Sequence, residues 1–391
     1  MNRLRAGFII IIVLAAITIG LAAVPGDLDG DQIVSQDELS KAESSLAEGK
    51  ITSEQFEEIK HIQENYPRSI VDRNNRTITI YQPVKRIIAF GGYDAEIISM
   101  LGDADKIVGV PNYLKDQDFR RMFFSSLVDR PAPGSASSPD CEMILNLSPD
   151  LITCWHYYPS KLEEQLPSNI AVVGLDLFNP ETFVDEAKKL AYLLEKEGAL
   201  DDYLDGFYSR YTNLLTDRTS KLTDEERPRV YWERQKPYET FGGPNYITNI
   251  INISGGKNIF ANDDFDITVV DTEKVMKSNP DIIIRYAASK GPETGYSVDD
   301  TAAAKALRDE IIGRPELADT NAVKNGRVYV IYMGLPLGIQ GPIGDVCAAK
   351  IIQPELFKDL DPLQMINDFV KDYLGADYDA KAHGLFVYPP L

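Results

Sequence analysis

Apolar residues in this chain switch between two periods, and the switches mark out its elements. Short runs at 86–90, 106–110, 151–155 and 170–174 are apolar at nearly every position, with helical segments between them. Strands buried on both faces read this way, and their alternation with helices predicts a parallel α/β sheet. Ahead of them, Ile70-Val71-Asp72, the polar turn Arg73-Asn74-Asn75-Arg76 and Thr77-Ile78-Thr79-Ile80-Tyr81 predict a hairpin. From Pro180 to Lys221 the period is helical throughout. Phe183, Ala187, Leu190 and Leu194, then Leu200, Leu204, Phe207, Tyr211 and Leu214 recur every three to four residues. Gly198 is expected to divide this stretch into two helices, the second longer than twenty residues. Strands return at 229–233, 281–286 and 327–332, with helices near 244–253, 301–312, 342–352 and 362–374.

One phrase occurs twice. Glu142 is followed seven residues later by Pro149-Asp150 and the run Leu151-Ile152-Thr153-Cys154-Trp155. Glu273 is followed at the same distance by Pro280-Asp281 and Ile282-Ile283-Ile284-Arg285-Tyr286. Each copy predicts a short helix, a proline stop and a buried strand. Their surroundings match too: Lys85 to Gly92, a helix, Gly102 and Lys106-Ile107 before the first; Pro228 to Trp232, Gly242-Gly243, a helix and Gly255-Gly256-Lys257 before the second. A unit duplicated once implies two lobes rather than a solenoid, and two lobes enclose a cleft. The expected fold is α/β: two similar Rossmann-like lobes with short parallel sheets, joined by a long rigid helix. Its divisions are 1–25, 26–66, 67–179 (first lobe), 180–222 (connecting helices) and 223–391 (second lobe).

Composition narrows the function. A hydrophobic content of 44% supports proper cores, and a net charge of −20 argues against nucleic acid, which needs a basic face. Arg3 and Arg5 precede an apolar stretch from Ala6 to Val24, a cleaved signal or a membrane anchor. Either places the remainder outside the cytoplasm, and a lipoprotein cysteine is missing at its end. No second stretch of spanning length follows. Cys141, Cys154 and Cys347 make no disulfide framework. Cys141 and Cys154 flank one helix–strand turn, where buried free thiols are the better reading and a bridge is the alternative.

A strand followed by Gly-x-x-x-x-Glu (Gly91 to Glu96), the paired Glu…Pro-Asp units and the long joining helix together resemble one family. They are similar to substrate-binding proteins of iron-complex and vitamin B12 ABC importers, over about Arg68 to Leu374. The resemblance implies extracytoplasmic capture of a metal chelate by a monomer, and delivery to a permease dimer in the membrane. It also implies that Glu142 and Glu273, one per lobe, dock on that permease through arginines. The blander reading is a glutamate meeting the positive end of each helix dipole.

Ligands of open α/β sheets sit beyond the carboxyl ends of the strands. That rule selects Tyr93 and Asp94 after Gly91-Gly92, the cluster Trp155, His156, Tyr157 and Tyr158, then Trp232, Glu233 and Arg234, Arg285 and Tyr286, and Tyr332 and Met333. Aromatic faces suit a flat or greasy chelate, and arginines suit anionic oxygens. Capping of the two cores is the alternative for each. An iron–siderophore leads, ahead of cobalamin or haem. His61, His156 and His383 are too dispersed for a three-histidine metal site, which disfavours zinc or manganese as cargo.

Asp27-Leu28-Asp29-Gly30-Asp31-Gln32-Ile33-Val34-Ser35-Gln36-Asp37-Glu38 matches an EF-hand loop for Ca²⁺. Asp27, Asp29, Asp31, Ser35 and Glu38 supply side-chain ligands and Ile33 the backbone position. Gln32 stands where glycine normally makes the turn; an acidic solvated spacer is the plain alternative. No nucleophile elbow, phosphate loop or zinc-hydrolase helix is present, so an enzyme is not expected. A metal-cluster reductase would want cysteine ligands that three scattered cysteines do not supply. A structural cell-surface module, the remaining class, would bind no ligand saturably.

Overall fold

The computed structural model describes residues 24–288, 291 and 293–391. The N-terminal apolar stretch therefore lies, but for Val24, outside the described residues. Among those described, no helix is long and apolar enough to cross a membrane. The chain divides into two compact units, Met1–Pro67 and Arg68–Leu391.

The first unit holds helices α1 (Gln36–Ala47) and α2 (Ser53–Asn65). Each starts with a capping box, Ser35 with Glu38 and Thr52 with Gln55, which satisfies backbone donors that a helix start leaves open. Ala42, Ile59 and Ile62 are buried.

The second unit opens with the expected antiparallel hairpin, β1 (Arg68–Val71) and β2 (Thr77–Ile80). The first lobe carries a four-stranded parallel sheet: β3 (Ile87–Ala89), β4 (Ile107–Gly109), β5 (Leu151–Trp155) and β6 (Ala171–Leu175), in the order β4-β3-β5-β6. Helices α3 (Gly92–Ile98) and α4 (Cys141–Leu147) flank it. Near-continuous burial of β3 and β5 is what their unbroken apolar runs require. Cys154 lies in this core and Cys141 is half-buried; both are free thiols, as is Cys347.

Helix α5 (Pro180–Leu194) and a continuous helical stretch over 197–219 follow. The break between them falls at Glu195 (φ 59°) rather than Gly198, which sits inside the second helix. In the C-terminal lobe, parallel strands β7 (Arg229–Glu233), β11 (Ile282–Ala287) and β12 (Val328–Tyr332) form the middle of a seven-stranded sheet. Four short strands escaped the sequence reading: β8 (Glu239–Phe241), β9 (Lys257–Asn258), β10 (Ile267–Val269) and β13 (Val387–Tyr388), of which β10 and β13 end the strand order. Among its helices are α6 (Tyr246–Ile253), α7 (Thr272–Ser278), α8 (Ala302–Ile312), α9 (Gly341–Ile352) and α10 (Pro362–Leu374).

The repeated phrase builds the same joint in both lobes. Helices α4 and α7 end in left-handed residues, Ser148 (φ 46°) and Asn279 (φ 42°), before Pro149 and Pro280. Asp150 then accepts hydrogen bonds from the backbone N–H groups of Lys85 and Arg86, and Asp281 from that of Arg229, pinning the start of β3 and of β7. In return Arg86 donates to the carbonyl of Leu147 and Arg229 to that of Ser278, satisfying orphan groups at the helix ends.

Candidate functional site

After β3, Gly91 and Gly92 let the chain turn tightly: a Cβ on Gly91 would meet the Asp94 carboxylate at 2.4 Å, and one on Gly92 the Arg120 guanidinium at 2.3 Å. Tyr93 is held from three sides. Arg120 lies 5.5 Å above its ring, Phe178 6.4 Å away, and the backbone of Gly338 from the other lobe so close that a Cβ there would reach it at 2.3 Å. Arg120 is buried, with its Nε 2.7 Å from Glu96, which is also buried.

Past β5, Trp155 and Tyr157 are 43% and 70% exposed, so two large aromatics stand open at the end of the sheet. His156 and Tyr158 are half-buried. The His156 ring lies 4.0 Å from that of Tyr157, and its Nδ1 is buried without a partner. Trp155 meets Phe178 edge-on at 5.6 Å, and Phe178 meets Tyr246 of the second lobe at 5.9 Å, so an aromatic path crosses the cleft. Asp94, by contrast, is a buried group of the first lobe, its carboxyl pushed up to about 6 by burial.

The second lobe places its strand-end residues differently from the sequence expectation. Trp232, Tyr286 and Tyr332 are 1%, 2% and 3% exposed and pack into the lobe, with Trp232 5.3 Å from Tyr286. Arg285 is not an open cleft arginine. It is the register partner of Glu233 on the neighbouring parallel strand, and its guanidinium pairs with that carboxylate and with the carbonyl of Gln235. Arg314 closes on the other side of Glu233 with bonds of 2.7 and 3.0 Å, making a buried Arg–Glu–Arg triad. Arg234 stays partly open, its guanidinium over the Phe241 ring and 3.2 Å from Glu239. Met333 is half-buried, its sulfur 3.2 Å from the Gln235 amide.

Sequence reasoning missed Arg120, Phe178 and Tyr246, which lie outside strand ends and reach the cleft from a short helix, a loop and a helix start. The phenols of Tyr93, Tyr246 and Tyr286 influence one another, and burial pushes all three up, Tyr246 to about 12. The Trp232 indole N–H is buried without a hydrogen-bond partner, and the buried Tyr286 hydroxyl lies toward that of Tyr246. A cluster of neutral donors with one buried arginine is suited to accepting anionic oxygen. One flank is closed by contacts between the lobes: Asp118 accepts hydrogen bonds from the N–H and hydroxyl of Ser297, both at 2.7 Å, and Phe119 packs on Tyr296 at 5.1 Å.

Glu142 and Glu273 are both exposed, each at the second position of its helix, α4 and α7. In the first unit, Asp27, Asp29 and Glu38 bring carboxylate oxygens within 4.8 Å of one another. Asp27 accepts from the N–H groups of Gly30 and Gln32, and Asp31 from that of Ile33, so the loop is wound around its own carboxylates. Gln32 takes the left-handed conformation (φ 70°) that glycine would supply. Asp31 stands outside the three-carboxylate group, and Ser35 serves as the cap of α1, donating its hydroxyl to Glu38. Hydrogen bonds from Ser35 and Leu28 hold the Glu38 carboxyl down at about 2.

This two-lobed frame is that of a solute-binding protein. Residues 87–332 match the family described as periplasmic binding protein, and the chain belongs to it. The molybdate-binding protein MolA of Haemophilus influenzae is 24% identical over 341 residues, 80% of this chain and 92% of that protein. The cobalamin-binding protein of Halobacterium salinarum is 24% identical, over 68% of this chain and 66% of its own length. Among solved structures, molybdate-bound MolA aligns with a TM-score of 0.65 at 23% identity, covering 80% of this chain and 99% of that one. The TroA-like protein FepB of Veillonella parvula aligns with a TM-score of 0.68, also at 23% identity, over 82% and 99%. Membership of this family sets the chain among binders rather than enzymes.

Proposed function

We propose that this chain is the extracytoplasmic solute-binding component of an ABC importer, acting as a monomer, and that its cargo is a metal chelate with anionic oxygens, an iron–siderophore first. The observation that carries the reading is the open pair Trp155 and Tyr157, joined through Phe178 to Tyr246 across the lobes. Exposed aromatics at a cleft mouth offer stacking area, and Arg120, Arg234 and the phenols offer charge and donors to oxygen. Haem and cobalamin belong to the same reading.

A bare tetrahedral oxyanion such as molybdate is the second reading. It is favoured by the close approach of the lobes at Tyr93 and Gly338 and by the buried Tyr286 hydroxyl, which suit a small ligand. Calorimetric titration of the purified chain with ferric siderophores, haem, cobalamin and molybdate separates the two, and no saturable heat from any of them defeats both.

Three more roles belong to this proposal. Glu142 and Glu273 each meet a basic residue on one half of the permease dimer, because a two-lobed ligand on a two-fold partner needs one contact per lobe. The Asp27–Glu38 loop holds Ca²⁺ through hard oxygen ligands, with affinity in the weak extracellular range of about 10⁻⁴ to 10⁻³ M. The N-terminal apolar stretch delivers the chain to the outer face of the cell membrane, as a retained anchor or a cleaved signal.

A further inference from the structure

Leu145 and Met276 are 49% and 43% exposed, two of the large apolar side chains left open in the second unit. They occupy one and the same place in the repeat, three residues after Glu142 and after Glu273. Side chains three apart share a helix face, so each glutamate has an apolar neighbour beside it. The residue just before each, Ile144 and Val275, is fully buried and anchors its helix to the lobe. Exposed apolar residues scattered singly need no explanation. The same exposure, in the same register, in both halves of a duplicated fold is not scatter.

Charge is copied less faithfully than the apolar group. Lys274 and Lys277 flank Glu273, and Lys277 pairs with it at 3.0 Å on an exposed surface. The corresponding places beside Glu142 are Met143 and Asn146. What the two lobes present in common is therefore an acid and a large apolar side chain on a short, rigidly capped helix. A surface presented twice asks for a partner that offers its complement twice.

We propose that Leu145 and Met276 are matched apolar anchors by which the two lobes seat on the permease dimer, each entering an apolar pocket next to the basic residue that meets the glutamate. The proposal rests on the importer reading above. The glutamates set register and encounter rate, whereas the anchors slow dissociation. Association through the glutamates weakens with salt and association through the anchors does not.

The test uses the full chain in its native host. A photoreactive benzoylphenylalanine replaces, one at a time, Leu145, Met276, Glu142 and Glu273, and cross-linked products are identified by mass spectrometry. The importer so captured is then reconstituted in lipid nanodiscs for affinity measurements. Positions 145 and 276 are expected to capture a many-spanning permease subunit as efficiently as 142 and 273. Leu145→Ala and Met276→Ala are each expected to weaken association about tenfold, undiminished at about 0.5 M salt, with thermal unfolding unchanged. Capture from 142 and 273 without capture from 145 and 276 overturns the anchors and leaves the importer reading standing, as does unchanged affinity of the double alanine variant. Capture from none of the four, in a chain that still binds its solute, overturns the docking reading as well.

Discussion

Replacing Glu233 by glutamine tests whether Arg285 is a structural or a ligand-binding residue. Glu233 is fully buried and accepts from Arg285, from both terminal nitrogens of Arg314, from the Tyr231 hydroxyl and from the Tyr238 N–H. Glutamine keeps the shape but removes the charge that Arg285 is paired with among the described residues, leaving one positive charge in excess around Arg285 and Arg314, which are 4% and 7% exposed. Breaking a buried pair on one side costs about 3–5 kcal/mol. Here the loss belongs at the lower end, about 3 kcal/mol, because Arg314 keeps Glu310 and Arg285 keeps the Gln235 carbonyl. Urea unfolding followed by tryptophan fluorescence reads it, with Trp232 buried in the same lobe. Adding Arg285→Met to Glu233→Gln restores the charge balance, so the double variant is expected to lose less than the sum of the singles. A Glu233→Gln loss under about 1 kcal/mol, or an Arg285→Met variant that keeps full stability but fails to bind any of the four candidate solutes, refutes the triad as a structural unit and returns Arg285 to the cleft.

Asp345 is 3% exposed, one of its oxygens has no partner, and burial pushes its carboxyl up to about 8. Folded chains hold that proton between the ordinary value of 3.8 and about 8 while unfolded chains have lost it, so stability is greatest below the lower value and falls as pH rises to the upper one. Asp345→Asn is expected to flatten that slope, of at most about 1.4 kcal/mol per pH unit, in unfolding curves at pH 5, 6 and 7; an unchanged slope counts against it. Trp155→Ala with Tyr157→Ala is expected to weaken binding of a ferric siderophore at least tenfold in calorimetry while leaving unfolding unchanged, since both side chains are open; wild-type affinity would move the site elsewhere. Asp27→Ala with Glu38→Ala is expected to abolish the heat of Ca²⁺ binding without altering solute affinity, and absence of that heat in the unmodified chain removes the calcium reading.

The parts of this fold that were legible in sequence are those governed by local pattern. Buried strands announce themselves as unbroken apolar runs, and β5, β7 and the second hairpin strand begin and end within a residue of their expected limits. The repeated phrase was legible for a stronger reason: each of its members has a mechanical task. The helix must stop, so a left-handed residue and a proline follow, and the next strand must be pinned, so an aspartate receives backbone N–H groups from the first strand of the lobe. Short strands such as β8 and β10 are three residues long and carry no period of their own, so nothing local could reveal them. The site was only half legible, because strand direction tells which residues reach the carboxyl edge but not the register between strands. Glu233 and Arg285 face each other through that register, and their mutual pairing is what withdraws an arginine from the cleft. The same limit hid Arg120, which lies in a short helix between strands and gains its place only when Glu96 and the Tyr93 ring come to it. A cleft in a two-lobed protein is assembled from groups that neither lobe needs for its own core. The open aromatics at 155 and 157 satisfy that criterion and the buried ones at 232 and 286 do not. Exposure measured against strand position, rather than strand position alone, therefore decides which residues of such a chain are free to meet a solute.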